Sequence, residues 1–134
     1  MRDDGQVAIE YLVMVGIVLA LIVPLSLFVW QQSETETRVR QGELAANAIA
    51  AAADNLWAQG PGAKTTLTLY FPAGYEGSQS RVFNNTIQLR VYTPGNGNYT
   101  IGVGLRANVS GSLPSGPGYR VVTLELVTNS VVIS

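Results

Sequence analysis

The chain contains no cysteine and no histidine. Without cysteine there is no disulfide framework, no zinc–thiolate site and no thiol nucleophile. Without histidine the commonest general base is missing, and with it the usual Ser and Cys triads. Charge is scarce too: 13% of the 134 residues are Asp, Glu, Lys or Arg, and the formal net charge is −1. That balance leaves no electrostatic footprint for nucleic acid. Low charge together with 47% hydrophobic residues excludes a disordered chain. The seven acidic residues beyond position 5 are scattered, so no paired-carboxylate site or metal cluster stands out. Gly95-Asn96-Gly97 and Gly102-Val103-Gly104 lack the GKS/T or GxGxxG of a phosphate loop. A chain that is not an enzyme, with no cofactor and no metal, is expected. The length allows one domain, or a domain with one appended element.

What is present is unevenly placed. Tyr11 to Trp30, YLVMVGIVLALIVPLSLFVW, is a run of 20 residues without a charge. At about 1.5 Å per residue it reaches roughly 30 Å, the thickness of a bilayer core. A helix in a small soluble domain rarely stays apolar on every face for that long. Tyr11 and Trp30 bracket the run as interfacial aromatics do. Gly16 and Pro24 interrupt it, which membrane helices tolerate, and Pro24 predicts a kink or a loosened turn. The preceding MRDDG has one Arg and two Asp, unlike a secretory n-region, and no A-x-A-like site follows the run. Glu10 stands between Val7-Ala8-Ile9 and the run. It sits at headgroup level at little cost, or it takes a cation partner within an apolar bundle, where an unpaired charge is expensive.

Gly5 and Gln6, then Glu10, then the apolar run together resemble an archaeal type IV prepilin with a class III signal peptide. The short acidic leader differs from the Lys- or Arg-bearing leaders usual in that family. The resemblance implies that a membrane prepilin peptidase cuts between Gly5 and Gln6. Residues 1–5 are then a leader, 6–59 a long pilin-type helix, hydrophobic over 11–30, and 60–134 a β-rich globular head. It also implies that Glu10 pairs with the free amine of a neighbouring subunit during assembly. Tyr11, Val15, Leu19, Ile22, Pro24 and Phe28 are expected in the filament core. The implied partners are identical subunits in a helical homopolymer, the peptidase and a membrane assembly platform, with the membrane as host before assembly. Physical chemistry fits this cut. Gly5 lacks a Cβ, so a protease can approach the backbone closely. Cleavage leaves seven basic and seven acidic residues and creates an ammonium on Gln6, four residues before Glu10. Such a pair, buried between helices, sets register more than it stabilises.

Beyond Gln31 the composition turns polar, and Glu34–Arg38 and Glu36–Arg40 are i, i+4 acid-to-base pairs. LAANAIAAAADNLWAQG follows, with eight Ala, the strongest helix former. Leu44, Ala48 and Ala52, with Ala45, Ile49 and Leu56, are read as one helical stripe that Trp57 extends. Gly60 and Pro61 stop the helix. A helix from Gln6 to Gln59 would be about 80 Å long. Its apolar half has no second apolar helix in the chain to pack on, and it needs lipid or copies of itself.

After Gly62 the period becomes two. Thr65–Phe71, Ile87–Val91, Tyr99–Leu105 and Val122–Leu126 alternate apolar and polar residues, and 131–133 is a short final strand. Turn residues separate them at 72–74, 84–85, 94–97 and 113–118. The expected fold is α+β. A long N-terminal helix has its hydrophobic half protruding and packs its C-terminal half on a small antiparallel sheet or sandwich. The β part, about 70 residues without a disulfide, needs the helix to complete its core.

Asn84-Asn85-Thr86, Asn98-Tyr99-Thr100 and Asn108-Val109-Ser110 are N-glycosylation sequons. The Tyr, Thr, Ser and Asn of the head resemble an adhesive or glycan-facing surface. The expected function is therefore a structural subunit of an archaeal type IV pilus-like surface filament used for adhesion. The alternatives are an archaellin-like motility subunit, and a signal-anchored surface binding protein that does not polymerise.

Overall fold

A computed structural model describes residues 2–134, so Met1 of the expected leader lies outside the described residues. Helix α1 spans Arg2–Gln59 without interruption. The chain divides into two compact units, one ending at Glu34 and one from Thr35 to Ser134.

In the first unit every side chain from Asp3 to Glu34 is exposed. An α-helix satisfies its backbone N–H and C=O groups internally, which lets so apolar a segment exist in lipid. The helix is long and apolar enough to cross a membrane. Pro24 lies inside it, and the helical assignment continues through. Proline deletes one backbone donor. Two residues on, the Ser26 hydroxyl donates to the Ile22 carbonyl at 2.9 Å, the i−4 back-bond that often accompanies helix bending.

The second unit holds the rest of α1 and seven strands. They are β1 (Lys64–Phe71), β2 (Arg81–Phe83), β3 (Thr86–Thr93), β4 (Gly97–Gly104), β5 (Val109–Gly111), β6 (Gly118–Val127) and β7 (Ser130–Ile133). A four-stranded sheet has the order β1-β6-β7-β5, and a three-stranded sheet the order β2-β3-β4. Strands β1, β3, β6 and β7 turn the apolar residues of the alternating pattern inward. Phe71, Ile87, Leu89, Val91, Val122, Leu124, Val131 and Ile133 are all buried. Both sheets share one core with Ala45, Ala46, Ile49, Ala53 and Leu56 of the helix. Each fully buried Leu, Ile or Val contributes about 1.5–3 kcal/mol, so the helix supplies a substantial part of what a small head needs. The fold is thus α+β with a long N-terminal helix, as expected.

Three details differ from the sequence pattern. Of the expected helical stripe Ala45, Ile49 and Leu56 are buried and Ala48 and Ala52 half-buried, but Leu44 is 65% exposed and Trp57 38%, and Gly42, Ala46 and Ala53 join the buried face. The missing side chain of Gly42 lets the helix approach closely, since a Cβ there would lie 2.7 Å from Ile101 Cδ1. Strands β2 and β5, three residues each, were not anticipated. And β5 pairs with β7 in parallel, so the sheet is mixed rather than wholly antiparallel. On the helix surface, Glu36 and Arg40 are both exposed and form no ion pair among the described residues. At its C-terminus α1 ends as the sequence implies. Gly60 adopts φ +96°, and its N–H donates to the Leu56 carbonyl at 3.2 Å.

Candidate functional site

In the first unit the residues expected to act in cleavage and assembly lie on one continuous helix. Gly5 is helical, with open space around the position a Cβ would take. The 5–6 bond thus lies within a helical turn, with no neighbouring side chain near the Gly5 Cβ position. Gln6 and Glu10 are four residues apart on this helix, hence on one face. Glu10 is exposed and makes no ion pair among the described residues. Of the expected core-forming residues, Tyr11 is exposed by 72%, Leu19 by 54% and Phe28 by 66%. Val15, Ile22 and Pro24 are exposed as well. Among the described residues nothing within this unit covers the apolar surface, and exposed apolar surface of this extent is that of an interaction face.

The three sequons lie on the head. Asn84 occupies the β2–β3 turn at φ +49°, a left-handed conformation that Asn tolerates. Asn98 is on β4, and Asn108 directly precedes β5; all three Asn residues are exposed. The main-chain carbonyls of Asn84 and Asn108 accept from Val109 N–H and Val131 N–H.

Two polar features of the head have no counterpart in the sequence pattern. Asp54, in the Ala-rich part of α1, accepts from the backbone N–H of Arg106 at 2.9 Å and of Ala107 at 3.1 Å. One carboxylate oxygen thus ties the helix to the loop between β4 and β5. Tyr75 is 4% exposed, and its ring lies 4.6 Å from that of Phe71. Burial raises its phenol above the ordinary value of 10.0, offset in part by the neighbouring Ser80 hydroxyl. The phenol oxygen nevertheless forms no well-aligned hydrogen bond.

The head also carries a cleft of about 540 Å³ at the open edge of β2, lined in part by Arg81, Phe83, Gln88 and Ser112. Among the described residues there is no group of three or more acidic, His or Cys side chains able to hold a metal. Comparisons with family models, with curated proteins and with solved structures gave no match.

Proposed function

We propose that the chain is a structural subunit of an archaeal type IV pilus-like filament on the cell surface. It is held in the membrane by α1 before assembly and serves adhesion through its head. The observation that carries this reading is the exposure of every side chain from 3 to 34, uncharged from Tyr11 to Trp30, with Glu10 at the start of that run. Burying this surface among copies of itself gains about 25 cal/mol per Å² relative to water, and removal from the membrane is the work of an assembly platform. A membrane anchor alone needs the apolar length but gives Glu10 no task. A bundle gives it one, since the ammonium created on Gln6 can neutralise the Glu10 of a neighbour and fix the axial step between subunits. Intact-mass measurement of chains from sheared surface filaments tests the reading. A mature chain beginning at Gln6 is the expected result. A chain with residues 1–5 retained and confined to the membrane fraction overturns it in favour of a non-polymerising anchor.

A further inference from the structure

We propose that the cleft beside β2 binds a saccharide bearing a carboxylate. In register, Arg81 lies opposite Gln88, and Phe83 opposite Thr86. Directly opposed residues in an antiparallel pair share a face, with Cβ atoms about 5 Å apart. Arg81 and Phe83, two apart on one strand, share that face as well. The guanidinium, the phenyl ring and the carboxamide are therefore on one face of the β2–β3 pair, and their residues line the cleft together with Val82 and Ser112.

Each group is available. Phe83 is 45% exposed. Among the described residues, Arg81 and Gln88 take part in no ion pair or side-chain hydrogen bond. No acidic side chain lines the cleft, so its one charge is the cation of Arg81. The contrast is Arg90 on the same sheet, which is engaged by Gln79 at 3.5 Å and by Glu76 at 3.9 Å.

The combination selects the ligand class. A guanidinium fork binds a carboxylate through two parallel hydrogen bonds. A single cation suits a monoanion, whereas phosphate chains and nucleic acid draw on several. The Phe83 ring offers a flat apolar surface to the C–H face of a pyranose. The Gln88 amide and the Ser112 hydroxyl each both donate and accept, as neighbouring sugar hydroxyls require. The volume of about 540 Å³ falls within the range of about 300–1,000 Å³ of small-ligand sites. The site gives the adhesive part of the proposed function a chemical partner. It lies wholly within the head, so its binding does not depend on polymerisation.

The test uses the full chain in detergent micelles, produced without N-glycosylation, and titrates methyl galacturonide, a monoanion, and its carboxyl-reduced neutral counterpart methyl galactoside by calorimetry. Saturable binding of methyl galacturonide is expected, about tenfold or more tighter than methyl galactoside. Arg81→Gln, an exposed change on a three-residue edge strand, removes that preference at an unchanged melting midpoint. Arg81→Lys, which keeps the charge but not the fork, restores only part of it. Phe83→Ala weakens both ligands. Arg120→Gln, outside the cleft, leaves binding unchanged. Absence of saturable binding overturns the proposal. So does equal affinity for the neutral sugar, or an Arg120→Gln loss as large as that of Arg81→Gln. Filament formation is scored separately, so loss of saccharide binding and loss of assembly are distinct results. For protein from the native cell, Asn84→Gly distinguishes the source of the saccharide. Binding that appears only in this variant identifies the chain's own Asn84 glycan as occupant, and binding equal in both identifies an external one.

Discussion

From Tyr11 to Trp30 the exposure of the large apolar side chains runs from 38% at Val15 to 80% at Trp30. In the head, Ile49, Ile87, Leu89, Val91 and Leu124 are at 0%. The residue types are the same. What differs is whether the chain supplies them with partners. Strands β1, β3, β6 and β7 alternate, so each needs only one covered face, and α1 beyond Thr35 covers it. The run from 11 to 30 is apolar all round, and no element of its own chain could cover every face of it. Stability of the head is therefore an internal property, whereas among the described residues nothing covers the apolar surface of the first unit.

That contrast can be broken most decisively at Glu10. Glu10→Ala should insert normally and leave the melting of the head unchanged, yet reduce filament yield by about tenfold or more, as loss of an ion pair in an apolar bundle implies. Immunoblots of sheared filaments against membranes measure it, and normal filament yield would remove the register role. The two phenylalanines come next. Phe71 is fully buried, and Phe71→Ala should cost the head about 3–5 kcal/mol in denaturant melts. Phe28→Ala, at a residue 66% exposed, should leave those melts unmoved. A large Phe28 effect would mean that the first unit contributes to head stability. Asp54→Ala strands two backbone donors and should cost about 1–3 kcal/mol, with faster amide exchange at Arg106 and Ala107. The smallest effect is at Tyr75. Its phenol is raised in the folded state, so the unfolded chain loses that proton first. Stability from this group is intact below the ordinary value of 10.0 and declines as pH rises above it. Tyr75→Phe should flatten that alkaline decline and change neutral-pH stability by under about 1 kcal/mol, because the hydroxyl forms no well-aligned bond.

Legibility in the sequence followed the strength of the pattern. The uncharged run, the Gly60 stop and the inward residues of β1, β3 and β6 could be read directly, because period and length there have one solution, whereas on β4 Tyr99 is 41% exposed and only Ile101 is buried. The face of α1 in the head could be read only in part: Ala45, Ile49 and Leu56 are buried as expected, Leu44 and Trp57 are not. With Ala at 45, 46, 48 and 50–53, small apolar residues occur on all sides, and no apolar period marks Gly42, where a Cβ would lie 2.7 Å from Ile101 Cδ1. Strands of three residues, β2 and β5, are too short to show alternation. The parallel β5–β7 pairing joins segments whose proximity depends on the whole topology. The same limit hid the cleft. Arg81, Phe83 and Gln88 become one group only through the β2–β3 register, and Ser112 joins them from the segment after β5.

The most direct test is helical reconstruction, by electron cryomicroscopy, of surface filaments containing this chain. The account predicts that residues 11–30 of neighbouring subunits form the filament core, with each Glu10 carboxylate within about 4 Å of a neighbour's Gln6 amine. Filaments with the heads at the core, or a chain found only as membrane-embedded monomers, would contradict it.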